Sequence, residues 1–532
     1  MTASPPATPS DTLAAAAATA GPYVVVVPGG ADDTGVDDLV RVLQREPSVG
    51  AAGRGRGPLA DVLALPAAPY VIRRSALEQV DGLHPLFDAY PSLGRLDLGW
   101  RLRACGWRVV AAGSSDEAAL DEGDPEDAAK AALRLAVLHR NLGEEAFHTL
   151  LPPALAATRR LPGVGAEASA SYEAMAPTLG RGALQVRRTR GDLELMPYVR
   201  TAPSVFPAGT RELAGPEGVR LLDGRQRILV LTLDTVGPRM AGPAIRAWEL
   251  AHALADEHDV VLAAQWDGSV QSTHLRLMDL GNPNLRLTAS RSDIVVVQGW
   301  GLHDHPWLAG LPVVLVADLY DAIHLETLEA ERDRSLPERR HGMAVATEVL
   351  MAQIRRGDFF LCASTRQRDL WLGHLAAAGR LTPDVYDGDE SLRRFIAPVP
   401  FGVPRTAPAV APGAIKGVVP GIGPDDEVIL WGGGIYNWFD PLTLIHAVAR
   451  VSETRPQVRL LFLGTRHPNP AVPEMAMAAA AVALSDRLGL TGSVVFFNEG
   501  WVPYEERSRW LTDADLGVSC HFEHLETAFS FR

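Results

Sequence analysis

The sequence has only three cysteines among its 532 residues, Cys105, Cys362 and Cys520. They are far apart, form no CxxC pair and lack metal-ligand spacing, so neither a disulfide framework nor a zinc site is expected. Basic residues are also in deficit: 50 Lys and Arg stand against 64 Asp and Glu, a net charge of −14. That argues against electrostatic binding to nucleic acid, which needs a clustered basic footprint, but leaves room for a local basic pocket around a diphosphate. No apolar run approaches the roughly 18 residues of a membrane-spanning helix. No Lys or Arg precedes Arg41, so the Ala14 to Ala18 run lacks the basic flank of a signal peptide. Residues 1–21 read as a disordered tail, and the chain as cytoplasmic, with room for attachment at the inner face of a membrane. There is no GxGxxG fingerprint, no GxxxxGK[ST] loop and no Tyr-x-x-x-Lys pair. Their absence disfavours a nicotinamide dehydrogenase, a P-loop nucleotidase and a sugar-nucleotide epimerase of the usual kind.

What is present is alternating α/β patterning over a length that predicts about three domains, at roughly 100–200 residues each. Tyr23 to Val27 is a Val-rich strand ended by Pro28-Gly29-Gly30; Asp37 to Gln44 has helical spacing; Tyr70 to Ile72 and Trp107 to Ala111 read as strands. Ser114 to Asp127 is an acidic, Gly- and Ser-containing boundary. Residues 113–225 read as a helical and irregular linker, with helices at Ala128 to His139 and Glu144 to Arg159.

A second beginning comes at Arg227, where an apolar strand, a Gly/Pro loop, a helix (Ala244 to Ala255) and another strand form a βαβ unit. Such a unit predicts a parallel sheet. Runs at Asp293 to Gln298, Pro312 to Ala317 and Phe359 to Ala363 extend it, and Glu329 to Arg356 reads as one long helix. The pattern restarts after the connector Pro398 to Pro404, with strands at Val428, Arg459, Val494 and Leu516. Two doubly wound units joined in this way should hold a ligand between the carboxyl ends of their sheets.

Four segments carry candidate chemistry. The loop Asp234 to Pro243, with Gly242, opens a helix whose N-terminus favours an anion, or is a plain turn. Gly432-Gly433-Gly434 places bare backbone amides after a buried strand, where they can cradle a diphosphate. Asn437 and Asp440 follow, and Asp440 is equally suited to capping the next helix. Arg466, after the next strand, suits bidentate phosphate binding or a solvated surface role. Asp318, Asp321 and His324 stand after a strand of the first unit, placed to meet a sugar or acceptor hydroxyl or to serve core and capping roles. Their spacing specifies no metal, and none is expected.

Together these residues resemble the retaining GT-B glycosyltransferases of family 4, over about residues 227–532. The resemblance is carried by Met240 to Pro243, Trp431 to Gly434, Leu463-Gly464 with Arg466, and Asp515 to Ser519; the string GGGIYNWFDP points to one subgroup. It implies a pair of Rossmann-like domains, at 226–400 and 401–532. It implies hexosyl transfer from a nucleoside diphosphate sugar to a glycan or lipid-linked acceptor, in polysaccharide or cell-surface glycan biosynthesis. The nucleotide sugar is a co-substrate, and no cofactor is called for. Gly242, Gly432, Gly433, Gly434, Asn437 and Arg466 are the implied donor contacts, with Asp318 and His324 on the acceptor side. The usual Arg and Lys pair is missing, and the acidic motif that grips the ribose is expected after Ser519, beyond an incomplete second domain. Glu523 and Glu526 stand at its approach.

The first half carries a fainter resemblance. Asp81 to Tyr90 and Asp97-Leu-Gly-Trp-Arg101 are similar to the distal half of a family 2 (GT-A) glycosyltransferase. The acidic pair that would supply its base is replaced by Gly94-Arg95, and Asp32-Asp33 do not make its metal motif. Residues 22–112 are therefore expected to be a partial, non-catalytic segment in which Asp97 and Trp100 are structural. The rival to the enzyme is a non-catalytic nucleotide-sugar-binding or scaffolding module of a glycan-assembly complex.

Overall fold

A computed structural model describes residues 21–26, 35–53, 59–65, 69–112, 127–200, 205–403, 406–408, 413–469, 472 and 474–530. The sequence readings on residues 1–20, 28–33 and 114–126 lie outside these. The chain divides into two compact units, Met1–Gln226 and Arg227–Arg532.

The first unit is built on five strands: β1 (Tyr23–Val26), β2 (Val49–Gly53), β3 (Leu59–Asp61), β4 (Tyr70–Arg73) and β5 (Arg108–Ala112). They lie in the order β1-β4-β2-β5-β3. Only β2 and β5 run parallel; the other pairs are antiparallel. The sequence reading missed β2 and β3. The Val-Gly-Ala-Ala-Gly of β2 is too small and featureless to look like a strand, yet every residue of it is buried.

The helices after β5 correct the linker reading of 113–225. The two helices Ala128–Asn141 and Glu144–Arg159 share one apolar core with the sheet, where Leu135, Leu138 and Leu150 meet Leu96, Trp100 and Leu102. Leu221, far along the irregular stretch, joins the same core. The stretch reads as irregular because its helices are short and separated by Gly and Pro, and because charge is buried in pairs. Arg220, 5% exposed, is bound by Glu217 and Glu145.

The second unit holds two parallel sheets. The larger contains β6 (Arg227–Val236), β7 (Asp259–Trp266), β8 (Arg276–Asp279), β9 (Ile294–Gln298), β10 (Val314–Asp318), β11 (Phe359–Cys362) and β12 (Ile396–Pro398). Their order is β12-β11-β10-β9-β6-β7-β8. The smaller contains β13 (Glu427–Trp431), β14 (Val458–Phe462), β15 (Val495–Phe497) and β16 (Leu516–Val518), in the order β15-β14-β13-β16. All pairings in both sheets are parallel. The expected α/β class with two Rossmann-like sheets is thus the architecture found here. The strand order reverses between β6 and β9 in one sheet and between β13 and β16 in the other. Such switch points leave a crevice at the carboxyl ends of the strands.

The long helix expected over Glu329 to Arg356 is two helices, Ile323–Ala330 and Leu336–Arg356. Ser335 starts the second with a capping box, its backbone N–H donating to Glu338 at 2.9 Å. Beyond β16, the short helix Leu525–Phe529 returns to the larger sheet's lobe: Phe529 packs in that lobe's core and Arg366 donates to the Ala528 carbonyl at 3.1 Å.

Candidate functional site

Both switch points of the second unit open onto one cleft of about 850 Å³. From the larger sheet it is lined by the ends of β6 (Thr232, Asp234), β9 (Gln298, Trp300) and the turn after β10 (Tyr320, Asp321). From the smaller sheet come Gly432, Gly433 and Gly434 after β13, Gly464 and His467 after β14, and Val518 and Ser519 at the end of β16.

The three glycines do different things. A Cβ at Gly434 would press on the rings of Trp501 and Tyr436, at 3.1 and 3.2 Å, so packing alone asks for glycine there. A Cβ at Gly433 would meet nothing within 4 Å. Gly433 therefore presents backbone to open cleft with no packing reason for lacking a side chain. The loop's shape is held by Trp431, whose indole N–H donates to the Gly434 carbonyl at 3.1 Å. On the opposite side Gly242 lines the cleft as the first residue of the 14-residue helix Gly242–Ala255. That helix has no side-chain cap and no acid in its first turn, and a Cβ at Gly242 also meets nothing within 4 Å. Its free N–H groups thus carry an uncompensated positive end.

The two lobes of this unit are stitched beside the cleft. The Trp501 indole donates to the Met240 carbonyl at 2.9 Å, the Tyr504 backbone N–H to Pro238 at 2.8 Å, and Arg239 to the Trp501 carbonyl at 2.6 Å. The Tyr504 hydroxyl donates to Glu249 at 2.7 Å. Trp501 also sits against Gly464, where a Cβ would come within 2.7 Å of its ring. The Gly/Pro loop after β6 is therefore a docking surface for the 501–504 segment as well as a lead into a helix.

The remaining predicted residues lie elsewhere. Asn437 does not line the cleft: its amide donates to the Ala330 carbonyl at 3.3 Å and accepts from the Met477 N–H at 3.1 Å. Asp440 caps the helix Pro441–Ser452, accepting from Thr443 at 3.0 Å. Arg466 is exposed and outside the lining; the next residue, His467, faces the cleft instead. The His467 Nδ1 accepts the Asn469 N–H at 3.1 Å, which leaves Nε2 to carry the ring proton. Burial pushes its pKa down, against an upward pull from Asp234. It is a neutral donor near pH 7.

Asp318 and His324, the acceptor-side choices, do not line the cleft. Asp318 is 2% exposed and takes a bidentate pair from Arg246, at 2.7 and 2.8 Å. Arg246 in turn lies over the rings of Tyr320 and Phe401, 5.1 and 5.2 Å from their centroids, and donates to the Val399 carbonyl at 2.9 Å. The pair is a post beneath the cleft that sets Tyr320 and Phe401 in its wall. His324 packs on Trp371 and His374 at 5.9 and 5.4 Å, and burial lowers its pKa to about 4. The helix Ile323–Ala330 turns it into the lobe while Asp321 and Ala322, just before the helix, stay in the wall.

Sequence reading passed over Asp234, His467, Trp300, Trp501 and Arg507, all of which line the cleft. Asp234 and His467 sit inside segments already singled out, and the signal for Asp234 was present: an acid inside an otherwise apolar strand. Asp234 is 6% exposed. Its Oδ1 accepts the Thr235 N–H at 3.0 Å, and its Oδ2 has no hydrogen-bond partner.

In the first unit, the motif residues are closed off. Asp97 is fully buried, paired with Arg101 at 2.7 Å and Arg140 at 3.2 Å and bonded by Asn141 at 2.8 Å. Trp100 is fully buried in the core. Arg95 donates to the Leu65 carbonyl at 3.2 Å, and Gly94 lies under Phe87. A Cβ on Gly99 would collide with the Leu63 carbonyl. Among the described residues of the whole chain, no three His, Cys, Asp or Glu side chains converge as a metal site would require, and no helix is long and apolar enough to cross a membrane.

No protein-family profile matches the sequence, and no curated protein matches it. Solved structures are similar at low level. One is WaaG, a glycosyltransferase involved in lipopolysaccharide biosynthesis, at 15% identity over 56% of this chain and 75% of that one, with a TM-score of 0.37. Another is a Siraitia grosvenorii UGT transferase in complex with UDP, at 13% identity over 57% of this chain and 82% of that one, TM-score 0.29. A third is Medicago truncatula UGT71G1 with UDP-glucose, at 11% identity over 54% of this chain and 74% of that one, TM-score 0.28.

Proposed function

We propose that residues 227–532 form a glycosyltransferase cleft that takes a nucleoside diphosphate sugar and transfers its sugar, with retention, to a glycan or lipid-linked acceptor. The observation that carries the reading is Gly433: a bare backbone turn at the mouth of β13, facing open cleft with no packing demand for glycine. Backbone amides at such a turn are suited to an anionic ligand, and the uncapped start of the helix Gly242–Ala255 adds a second positive end across the cleft. Arg507 lines the same space and supplies the cation that the exposed Arg466 does not. In this reading the amides, Arg507 and the Nε2–H of His467 offset charge developing on the departing diphosphate. Setting for the reaction is peripheral to a membrane surface, in polysaccharide or cell-surface glycan assembly.

The test is calorimetric titration of the full chain with UDP and the other nucleoside diphosphates, followed by transfer assays with the sugar forms of whichever binds. One nucleoside diphosphate should bind, and G433A should weaken it by about tenfold or more, because its methyl group would stand in the open cleft where the ligand must approach the backbone amides. NMR of the product should show the donor's anomeric configuration retained. Binding that G433A leaves unchanged sinks the assignment. Binding with no transfer from any sugar form favours the second reading, a nucleotide-sugar-binding scaffold, for which the single lining cation among the described residues already speaks.

A further inference from the structure

Three adjacent strands, β6, β9 and β10, deliver their carboxyl ends to one wall of the cleft. That wall carries Asp234, Asp321 and Glu326 together with Trp300, Tyr320 and Phe401. Carboxylates and aromatic rings share it, and among the described residues no cation does. Arg246, which lies over the Tyr320 and Phe401 rings, is outside the lining and is taken by Asp318. Arg507 comes from the other lobe, in the helix Arg507–Asp513.

Asp234 is the decisive group. It is buried, lines the cleft, and leaves Oδ2 without a hydrogen-bond partner. Burying a carboxylate oxygen with no donor is costly unless a ligand supplies one. Trp300 is the second. For a large ring it is well exposed, at 36%, with His303 against it edge to face at 5.5 Å. A neighbour, Gln298, is pinned by donating to Thr232 at 2.6 Å and to the Pro243 carbonyl at 3.0 Å, which fixes the strand end between the two. A donor-rich, uncharged ligand with an apolar face satisfies both Asp234 and Trp300. A pyranose or furanose ring is such a ligand: its hydroxyls donate to a carboxylate and its C–H face packs on an indole. A sugar carrying its own carboxylate or phosphate would meet Asp234 at low dielectric, with no cation among the described residues of that wall to offset the repulsion.

We propose that this wall is a subsite for an uncharged sugar unit of the acceptor, held by Asp234 and stacked on Trp300, and that it turns away anionic sugars. The word acceptor rests on the transfer reading above; the sugar subsite itself does not. Saturation-transfer NMR of the full chain, with methyl glucoside, methyl galactoside and methyl mannoside against methyl glucuronide, tests it directly. At least one neutral glycoside should bind, and the glucuronide should bind at least about tenfold more weakly. D234A and W300A should each weaken the neutral sugar by about tenfold, W300A leaving UDP affinity within about twofold. Trp300 is exposed enough for W300A to fold even where D234A does not. Failure of all neutral glycosides, equal binding of the glucuronide, or indifference to both substitutions overturns the proposal. If neutral sugars bind as stated while no nucleoside diphosphate does, the subsite stands and the transfer reading falls.

Discussion

Gly99 in the first unit and Gly433 in the second sit in the two most recognisable strings of the sequence, and they are glycine for opposite reasons. Gly99 has the Leu63 carbonyl where its Cβ would be, so the helix Pro91–Ala104 can reach its neighbours only without a side chain there. Gly433 has empty cleft. The acids around them follow suit. Asp97 is surrounded by Arg101, Arg140 and Asn141, with its charge neutralised inside the unit. Asp234 faces the cleft with one oxygen unsatisfied. In the first unit, motif residues are consumed by packing; in the second, they stop at a cavity. A motif therefore speaks for function only when the structure leaves its groups without internal partners.

The largest effects should come from the closed networks. D97A would strand Arg101 and Arg140 in the core and should cost about 3–5 kcal/mol in denaturant unfolding, with nucleoside diphosphate affinity unaltered. A cost near zero would mean that the first unit's core does not depend on this cluster. D318A, which strands Arg246, should cost about 3–5 kcal/mol as well, but here ligand affinity should fall too, because Tyr320 and Phe401 lose their support.

The same two carboxylates should differ in the sign of their pH dependence. Burial pushes the Asp97 carboxyl up, but Arg101 and Arg140, with Asn141, hold it net below 3.8. Its contribution is therefore complete above that value and lost as pH falls through the lowered folded pKa. Asp318 has a single guanidinium partner, and burial leaves its carboxyl above 3.8. Its contribution is complete below that value and lost as pH rises through the raised folded pKa. Denaturation midpoints against pH should thus show D97N flattening the acid limb and D318N easing the loss on the higher side. Equal slopes for both variants would erase the distinction drawn between the clusters.

Smaller still, W501F removes the indole donor to Met240 and should cost about 1 kcal/mol, with weaker ligand binding as the lobes loosen. G433A should change stability least, by less than about 0.5 kcal/mol, since its methyl group meets nothing. A large destabilisation by G433A would put it in the same class as Gly99 and remove the contrast.

The strands of the second unit were legible because parallel strands covered on both faces read as unbroken apolar runs, as in Arg227–Val236 and Glu427–Trp431. The glycine loop and the helix it opens, read from Ala244 and starting at Gly242 in the structure, were legible for a related reason: local backbone geometry leaves a composition signature. The all-small strand Val49–Gly53 and the short helices after residue 160 were not, because nothing local distinguishes them; the strand's burial is conferred by Leu39, Leu43 and Val71 on one face and by the core that holds Trp100 on the other.

Side-chain direction was not legible either. Arg466 and His467 are neighbours in one loop, and only the fold decides that the imidazole enters the cleft while the guanidinium stays outside. Asp318, Asp321 and His324 lie within seven residues, yet one is locked to Arg246, one lines the wall and one is half-buried against Trp371. By itself the sequence determined the α/β class and the glycine turns, since each depends on periodicity or on a residue's own backbone freedom. Which acids and imidazoles stand open to a ligand was decided only by tertiary structure, because a buried group's chemistry is set by the partners that distant segments bring to it.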